Sequence, residues 1–202
     1  MEKTTPYAPN NQTELPLAHY RERFAAAQPE EIALRTGAAL NGNTFTLKIL
    51  REPREIDWPA FQKDGWSDYH RILFLHYLLE GKAAAPCAEF KPYRELPWGE
   101  VYDRNFNGRC VQRLLRCFGT KPDAFRTACE ALGGMPVKSS GIAYDLEFLP
   151  NLHLRFFLWE GDEEFAPTAQ ILFSANFPDA FAAEDRVVVC EYAIGKLQAA
   201  VR

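Results

Sequence analysis

Apolar and polar residues alternate most clearly in the last third of the chain. Every second residue from Ile142 to Phe148 is apolar, which is the period of a strand with one face in water. The apolar run after Pro150 loses this alternation toward its end, as expected for a central strand. In the first third, the turn signal Asn41-Gly42 precedes another alternating segment. The predicted strands therefore cover residues 44–49, 142–148, 152–159 and 169–174.

Helical periodicity accounts for most of the remaining chain. Apolar residues recur three and four positions apart in five segments, and Gly or Pro residues punctuate most of their ends. Ser67 is suited to cap the second helix, and we expect Gly81 to end it in the left-handed conformation. The last helix carries an apolar stripe formed by Val187, Cys190, Ile194, Leu197 and Val201. The predicted helices cover residues 17–28, 67–80, 111–118, 122–132 and 184–200.

The order of these elements indicates the fold class. Strands and helices occupy separate blocks instead of alternating, which is typical of α+β proteins. Three prolines interrupt residues 86–102, which we expect to form short extended pieces and turns. We predict a disordered tail over residues 1–12 and a single α+β domain over 13–202. Its central antiparallel sheet has helices packed mainly on one face, and a bilobal body fits the same pattern.

Composition narrows the class of protein. Of 202 residues, 47% are hydrophobic and 25% are charged, which excludes collagen-like and wholly disordered chains. A net charge of −4 argues against nucleic acid as a partner, and no apolar run approaches the roughly 20 residues that span a bilayer. Five cysteines are scattered along the chain without a Cys-x-x-Cys pair. This pattern favours reduced thiols and a cytoplasmic protein without a metal site of its own.

Charge is unevenly distributed along the chain. Residues 82–126 contain nine Lys or Arg and five Asp or Glu, whereas residues 145–191 contain two and ten. Arg109, Arg113 and Arg116 recur four and three positions apart on the polar face of a predicted helix. Arginine forks bind phosphates and carboxylates, so this row is a candidate anion or partner patch. There are two alternatives. The row could complement the helix dipole, or the two charged regions could face each other as internal ion pairs.

Aromatic and charged residues cluster in the proline-rich segment. The aromatic side chains of this segment could wall a flat ligand through stacking and cation–π contact; they are Phe90, Tyr93, Trp98 and Tyr102, around Arg94. The alternative is that these aromatic side chains cover an edge of the core. We take Tyr93, Arg94, Glu95 and Trp98 as candidate ligand contacts.

An acidic turn follows Trp159. Asp162 and Glu163 belong to a group of four carboxylates within residues 160–164, which could bind a cation or act as acid and base. The spacing differs from that of an EF-hand loop, and a solvated hairpin tip is the alternative. We include Trp159, Asp162 and Glu163 among the candidate ligand contacts.

His76 is the candidate base or ligand among the four histidines. It lies on the predicted apolar helix over 67–80, where a hydrogen-bonded core histidine is the alternative. His70 lies six residues earlier and therefore on another face of that helix, which argues against a joint metal site.

Four ordered segments carry a resemblance to a known family. They are the string WEGDEEF within residues 149–189, His-Tyr-Leu-Leu at 76–79, Arg-Glu-Leu-Pro at 94–97 and Leu-Gly-Gly at 132–134. Together they make the chain resemble, over about residues 13–200, the bacterial and archaeal family known as domain of unknown function 3786. Trp98 departs from the smaller residue that the family pattern implies. The family has no established catalytic residues, and the resemblance implies a redox or corrinoid setting in anaerobes.

These observations favour a binding function over catalysis. The chain contains no Gly-x-Gly-x-x-Gly, Walker or Gly-x-Ser-x-Gly motif, so common nucleotide and hydrolase signatures are absent. We expect a non-catalytic accessory protein that binds a small-molecule ligand or a redox or corrinoid protein. The alternative is an enzyme for a small anionic substrate that uses Arg94 and an acidic residue of the 160–164 turn. A structural subunit is a third reading, and the sequence predicts no particular cofactor.

Overall fold

The computed structural model describes residues 14–61 and 65–202 of the chain. The predicted disordered tail over residues 1–12 lies outside the described residues, and the assignment of 13–202 to one domain stays a prediction. The predicted α+β class is confirmed, because helices accompany two antiparallel sheets, one of three strands and one of five. None of the helices in the described part of the chain is both long enough and apolar enough to cross a bilayer.

The first part of the chain forms two helices and the smaller sheet. Its elements are α1 (Glu14–Ala26), α2 (Pro29–Thr36), β1 (Ala39–Asn41), β2 (Thr44–Ile49) and β3 (Glu52–Asp57). Gly42, with φ of 58°, forms the predicted tight turn between β1 and β2. In the next turn Leu50 and Arg51 are also left-handed, with φ of 47° and 65°, although neither is glycine. The buried Leu50 donates its N–H to the carbonyl of Phe148 over 2.9 Å, which links this turn to the larger sheet.

The larger sheet has the strand order β4-β8-β7-β6-β5 and is antiparallel throughout. Its strands are β4 (Phe90–Pro92), β5 (Met135–Pro136), β6 (Ile142–Leu149), β7 (Leu152–Trp159) and β8 (Thr168–Ser174). Alternate residues of β7 from Leu152 to Leu158 are buried, because this strand lies at the centre of the sheet. The four strands predicted from the alternation are confirmed.

Along the chain, the remaining helices come before, between and after the strands of the larger sheet. They are α3 (Asp68–Glu80), α4 (Gly99–Phe106), α5 (Gln112–Phe118), α6 (Pro122–Ala131) and α7 (Ala183–Ala199). One wide π-helical turn, Asn107–Val111, joins α4 to α5 without a break. Buried side chains from both sheets and from these helices form a common apolar cluster.

The continuous helix from α4 to α5 corrects the prediction that 86–102 contains only extended pieces and turns. α4 begins at Gly99, where a Cβ would lie 1.9 Å from the carbonyl oxygen of Tyr93. Only glycine fits this close approach. α4 escapes detection by periodicity because Phe106 is its one buried large apolar side chain.

Two further corrections concern helix ends. Gly81 follows α3 with φ of −71° and is not left-handed; glycine fits there because a Cβ would lie 2.8 Å from the carbonyl oxygen of Ala180. Val201 does not join the buried stripe of α7, since it lies beyond the helix end and is 37% exposed. The other four residues of that stripe are fully buried, as predicted.

Candidate functional site

Two adjoining cavities of about 430 and 620 Å³ form a groove along α7. Its walls are the beginning of α3 and the continuous helix formed by α4, the π-helical turn and α5. His70, Arg113 and Glu191 line both cavities. We call this feature the α7 groove. Pockets of this size accommodate small-molecule ligands.

Local structure fixes His70 at the centre of the groove. The Ser67 hydroxyl accepts the N–H of His70 over 3.4 Å and caps the first turn of α3. The imidazole then meets the ring of Tyr192 edge-on, with 4.9 Å between the ring centroids. Both residues therefore line a preformed wall.

At one end of the groove, Arg109 is compensated by two carboxylates of α7. Its Nε and Nη2 donate to Glu191 over 3.0 and 2.6 Å, and its Nη1 donates to Glu184 over 2.5 Å. These hydrogen bonds, led by those to Glu191, raise the pKa of Arg109. We call this the paired end, because its cation is paired with carboxylates and links two helices.

At the other end, two cations face the cavity without such compensation. Arg113 donates from Nη1 to the main-chain oxygen of Glu191 over 3.4 Å, and Lys196 lies 5.6 Å from the ring centroid of Tyr192. Within residues 14–61 and 65–202, neither side chain has a carboxylate oxygen within 4.0 Å. Both are half-buried. We call this the cationic end, and its charge is suited to an anion.

The surroundings of His70 keep its ring neutral. Burial lowers the pKa of His70 below its ordinary value of 6.5; Glu191 opposes this, and Lys196 and Arg113 lower the pKa further. A neutral imidazole offers one N–H donor and one acceptor nitrogen. It can therefore hydrogen-bond to a ligand held by the two cations.

Comparison with known proteins identifies the family. A model of the family described as domain of unknown function (DUF3786) matches residues 28–196, which is most of the chain. The chain belongs to this family. The match confirms the resemblance deduced from the four sequence segments and includes the α7 groove up to Lys196. No curated protein and no solved structure matches the chain.

The three arginines of the predicted row lie in different surroundings in this DUF3786 protein. Arg109 and Arg113 line the α7 groove, whereas Arg116 is exposed outside it. For Arg109 the internal ion-pair alternative is confirmed, since its partners Glu184 and Glu191 belong to the acidic region of the sequence.

The structure corrects the role expected of Tyr93 and separates it from its sequence neighbours. Tyr93 is 1% exposed, stacks on Phe106 with 4.4 Å between the ring centroids, and donates its hydroxyl to the carbonyl of Ala183 over 2.9 Å. It is therefore a core residue and cannot wall a ligand. Arg94 and Glu95 are exposed, and Trp98 is 77% exposed with φ of 61°.

His76 packs between helices and lies outside the α7 groove. Its Nδ1 lies 2.8 Å from Oδ1 of Asp185, and Tyr20 meets its ring edge-on with 4.2 Å between centroids. This is the hydrogen-bonded arrangement that was the alternative to a ligand role. The buried Nε2 has no hydrogen-bond partner among the described residues.

The acidic turn is organised by its own backbone. Oδ1 of Asp162 accepts the N–H groups of Glu164 and Phe165 over 2.9 and 2.7 Å, and these bonds lower the pKa of Asp162. Trp159 donates to the Ser140 hydroxyl over 3.0 Å. The cleft beside the turn is lined by residues 119, 120, 122 and 160–167, so Arg94 is not among its lining residues. The structure thus does not bring Arg94 and the 160–164 turn into one pocket.

Sequence reasoning missed most of the α7 groove. The missed residues that define its two ends are Trp66, His70, Glu184, Glu191, Tyr192 and Lys196. One signal was present: Glu184, Val188, Glu191 and Gly195 recur four, three and four positions apart, which gives α7 a second face beside its apolar stripe. No group of three or more His, Cys, Asp or Glu in the described ranges could hold a metal ion.

Proposed function

We propose that this DUF3786 protein is a non-catalytic binding protein for a small anion, which occupies the cationic end of the α7 groove. The observation that carries the proposal is that Arg113 and Lys196 face one cavity without a carboxylate partner among residues 14–61 and 65–202. Partial burial strips some hydration from a cation, and an anion bound beside it restores part of that loss. A bound carboxylate or phosphate would supply the missing negative charge, and the arginine fork suits either group.

The other residues of the cationic end support binding of such a ligand. Trp66 and Tyr192 contribute aromatic rings to the lining, and Gly195 lines the cavity beside Arg113 without a side chain. The neutral imidazole of His70 adds one hydrogen-bond donor. The ligand class is therefore a compact anion with some apolar surface.

The carboxylates of the groove in the described part of the chain are engaged within the protein. Glu184 and Glu191 both line the groove and both accept hydrogen bonds from Arg109. Neither is left to act as a general base. The accessory role beside a redox or corrinoid protein, which the family resemblance implies, stays a prediction.

Titrations with two simple anions test the proposal. Inorganic phosphate and benzoate are added separately to ¹⁵N-labelled protein, and amide shifts of residues 191–196 are followed by NMR. We expect saturable shifts with at least one anion, and about tenfold weaker binding in Arg113→Gln and Lys196→Gln, which corresponds to one lost charge-assisted contact. Arg116→Gln is the matched control and should bind like the unmodified protein. No saturable shift with either anion, or equal loss in all three variants, would overturn the proposal.

A further inference from the structure

We infer that the protein has a second ligand site, for an amphipathic carboxylate, in a cleft between its two sheets. The cleft has a volume of about 470 Å³ and lies among the smaller sheet, the end of α2, the loop after α3 and the turn from β6 to β7. We call it the inter-sheet cleft. It shares no lining residue with the α7 groove, so it is independent of the proposed function.

The inner walls of the inter-sheet cleft are apolar. Leu47, Tyr77, Ala84 and Leu149 are buried and form its base, so they present little surface to water. The apolar surface that a ligand would cover belongs to the exposed lining residues Pro53, Ala83 and Pro150. Covering such surface gains free energy, at about 25 cal/mol per Å².

The polar groups in these walls are already satisfied within the protein. The Tyr77 hydroxyl donates to the carbonyl of Thr36 over 2.8 Å, and Nδ2 of Asn151 donates to the carbonyl of Ala84 over 2.9 Å. Burial raises the pKa of Tyr77 to about 12, so its hydroxyl stays neutral. An apolar ligand body would therefore leave none of these groups without a partner.

The rim of the inter-sheet cleft is cationic. Lys48 and Arg51 line it, and no Asp or Glu of the described ranges does. Neither cation has a carboxylate oxygen within 4.0 Å in the described part of the chain. In a chain with a net charge of −4, a cleft with two cations and no acid favours an anionic head group.

Tertiary contacts hold Arg51 at this rim. The left-handed Leu50-Arg51 turn is unfavourable for non-glycine residues, at a cost on the order of 1–2 kcal/mol per residue. The Arg51 side chain lies over Gly133, where a Cβ would approach its Cδ to 2.8 Å. Together with the hydrogen bond from Leu50 to Phe148, this contact preserves the strained turn beside the cleft.

Apolar walls and a cationic rim together specify the ligand class. A phosphate ion lacks the body that the walls would cover, and an alcohol lacks the charge that the rim would pair. A straight-chain carboxylate has both features, and its head can form a charge-assisted hydrogen bond with Lys48.

Decanoate is the probe for this inference. Decanoate, 1-decanol and acetate are titrated separately into methyl-labelled protein below micelle-forming concentrations, and the methyl signals of Leu47, Ala83, Ala84 and Leu149 are followed by NMR. We expect saturable shifts of these signals with decanoate, and binding at least tenfold weaker with either of the other probes. Equal binding of decanoate and 1-decanol would overturn the role of the cationic rim.

Four variants separate this site from its surroundings. Lys48→Gln should weaken decanoate binding about fivefold, whereas Lys82→Gln, an exposed lysine outside the cleft, should leave it unchanged. Ala83→Leu should block the cleft from its exposed wall, and a thermal melt verifies that the variant is folded. Unchanged decanoate binding in folded Ala83→Leu would overturn the site. Arg113→Gln should bind decanoate normally, so failure here and failure of the α7 groove are distinguishable.

Discussion

Arg109 and Arg113 lie four residues apart on one continuous helix, and the structure uses them differently. Arg109 is held by two carboxylates of α7, whereas Arg113 donates to a main-chain oxygen of the same helix. The two side chains have the same chemistry and similar sequence surroundings. Their difference shows that the acidic residues opposite, and not the arginine row itself, decide which cation is structural and which is available to a ligand.

The wide turn between α4 and α5 contributes to this difference. It spans Asn107–Val111 and contains Arg109, and within it Cys110 donates from Sγ to the carbonyl of Val187 over 3.5 Å. Such turns change the helix register and occur often at functional sites. Here the turn brings Arg109 against Glu184 and Glu191 while α5 carries Arg113 along the groove.

The largest expected effect comes from giving the cationic end its own carboxylate. Arg113→Glu removes one cation and provides Lys196 with a partner, so the cationic end becomes a second paired end. We expect anion binding to weaken by about 100-fold, since two cationic contacts are lost at roughly tenfold each. Titration of the variant with phosphate and benzoate measures this loss.

A thermal melt provides the control for that variant. Its melting temperature should stay close to that of the unmodified protein, because a new surface ion pair contributes little, about 0–1 kcal/mol. Binding that survives in a folded Arg113→Glu protein would show that Arg113 does not hold the anion.

The second prediction concerns stability at the paired end. Arg109→Gln leaves Glu184 and Glu191 close together without their cation, so we expect a loss of about 1 kcal/mol in the free energy of unfolding. The value is small because the Arg109 side chain is 31% exposed and solvent screens its charge. Arg113 has no carboxylate partner in the part of the chain that the structure describes, so Arg113→Gln should change stability by less than about 0.5 kcal/mol. Urea unfolding of both variants tests the contrast, and equal losses would contradict it.

Some of this architecture could be predicted from the sequence, and the groove largely could not. The alternation in β6 and the spacing of the buried stripe in α7 follow from burial of one face, so local periodicity is sufficient for both. The cationic end joins His70, Arg113 and Lys196 from three distant segments, and their meeting depends on helix packing that no local pattern encodes. The prediction that Tyr93 contacts a ligand was wrong for a related reason. Its stacking partner Phe106 belongs to α4, a helix that the proline-rich sequence does not indicate.

The third prediction concerns a variant that makes the paired end more cationic. Glu184→Gln releases one of the two carboxylates from Arg109, and the net charge of the groove becomes more positive by one unit. We expect anion binding to strengthen about threefold. The effect is modest because the changed charge lies at the other end of a partly exposed groove, where salt screens it. Glu100→Gln, an exposed change elsewhere on the surface, is the control. Unchanged binding in Glu184→Gln at low salt would show that the two ends do not share one electrostatic field.

The smallest effect is the pH dependence of the cationic end. His70 faces Glu191, Tyr192 and Lys196 of α7 and Arg113 of α5, and its lowered pKa keeps it neutral at pH 7. As the pH falls below 6.5, protonation of His70 adds a third positive charge, so anion binding should strengthen by about twofold to threefold.

The same shift fixes the sign of the stability change. Because the folded state binds this proton less readily than the unfolded state does, protonation opposes folding, and stability should fall as the pH falls through and below 6.5. Titration of phosphate binding and urea unfolding at pH 7.5 and 5.5 measure both trends. In His70→Gln, the phosphate-binding curves at the two pH values should differ only through the ionisation of phosphate itself. Benzoate is titrated separately to report the pH dependence without that contribution. A pH response that persists for benzoate in His70→Gln would assign it to another group.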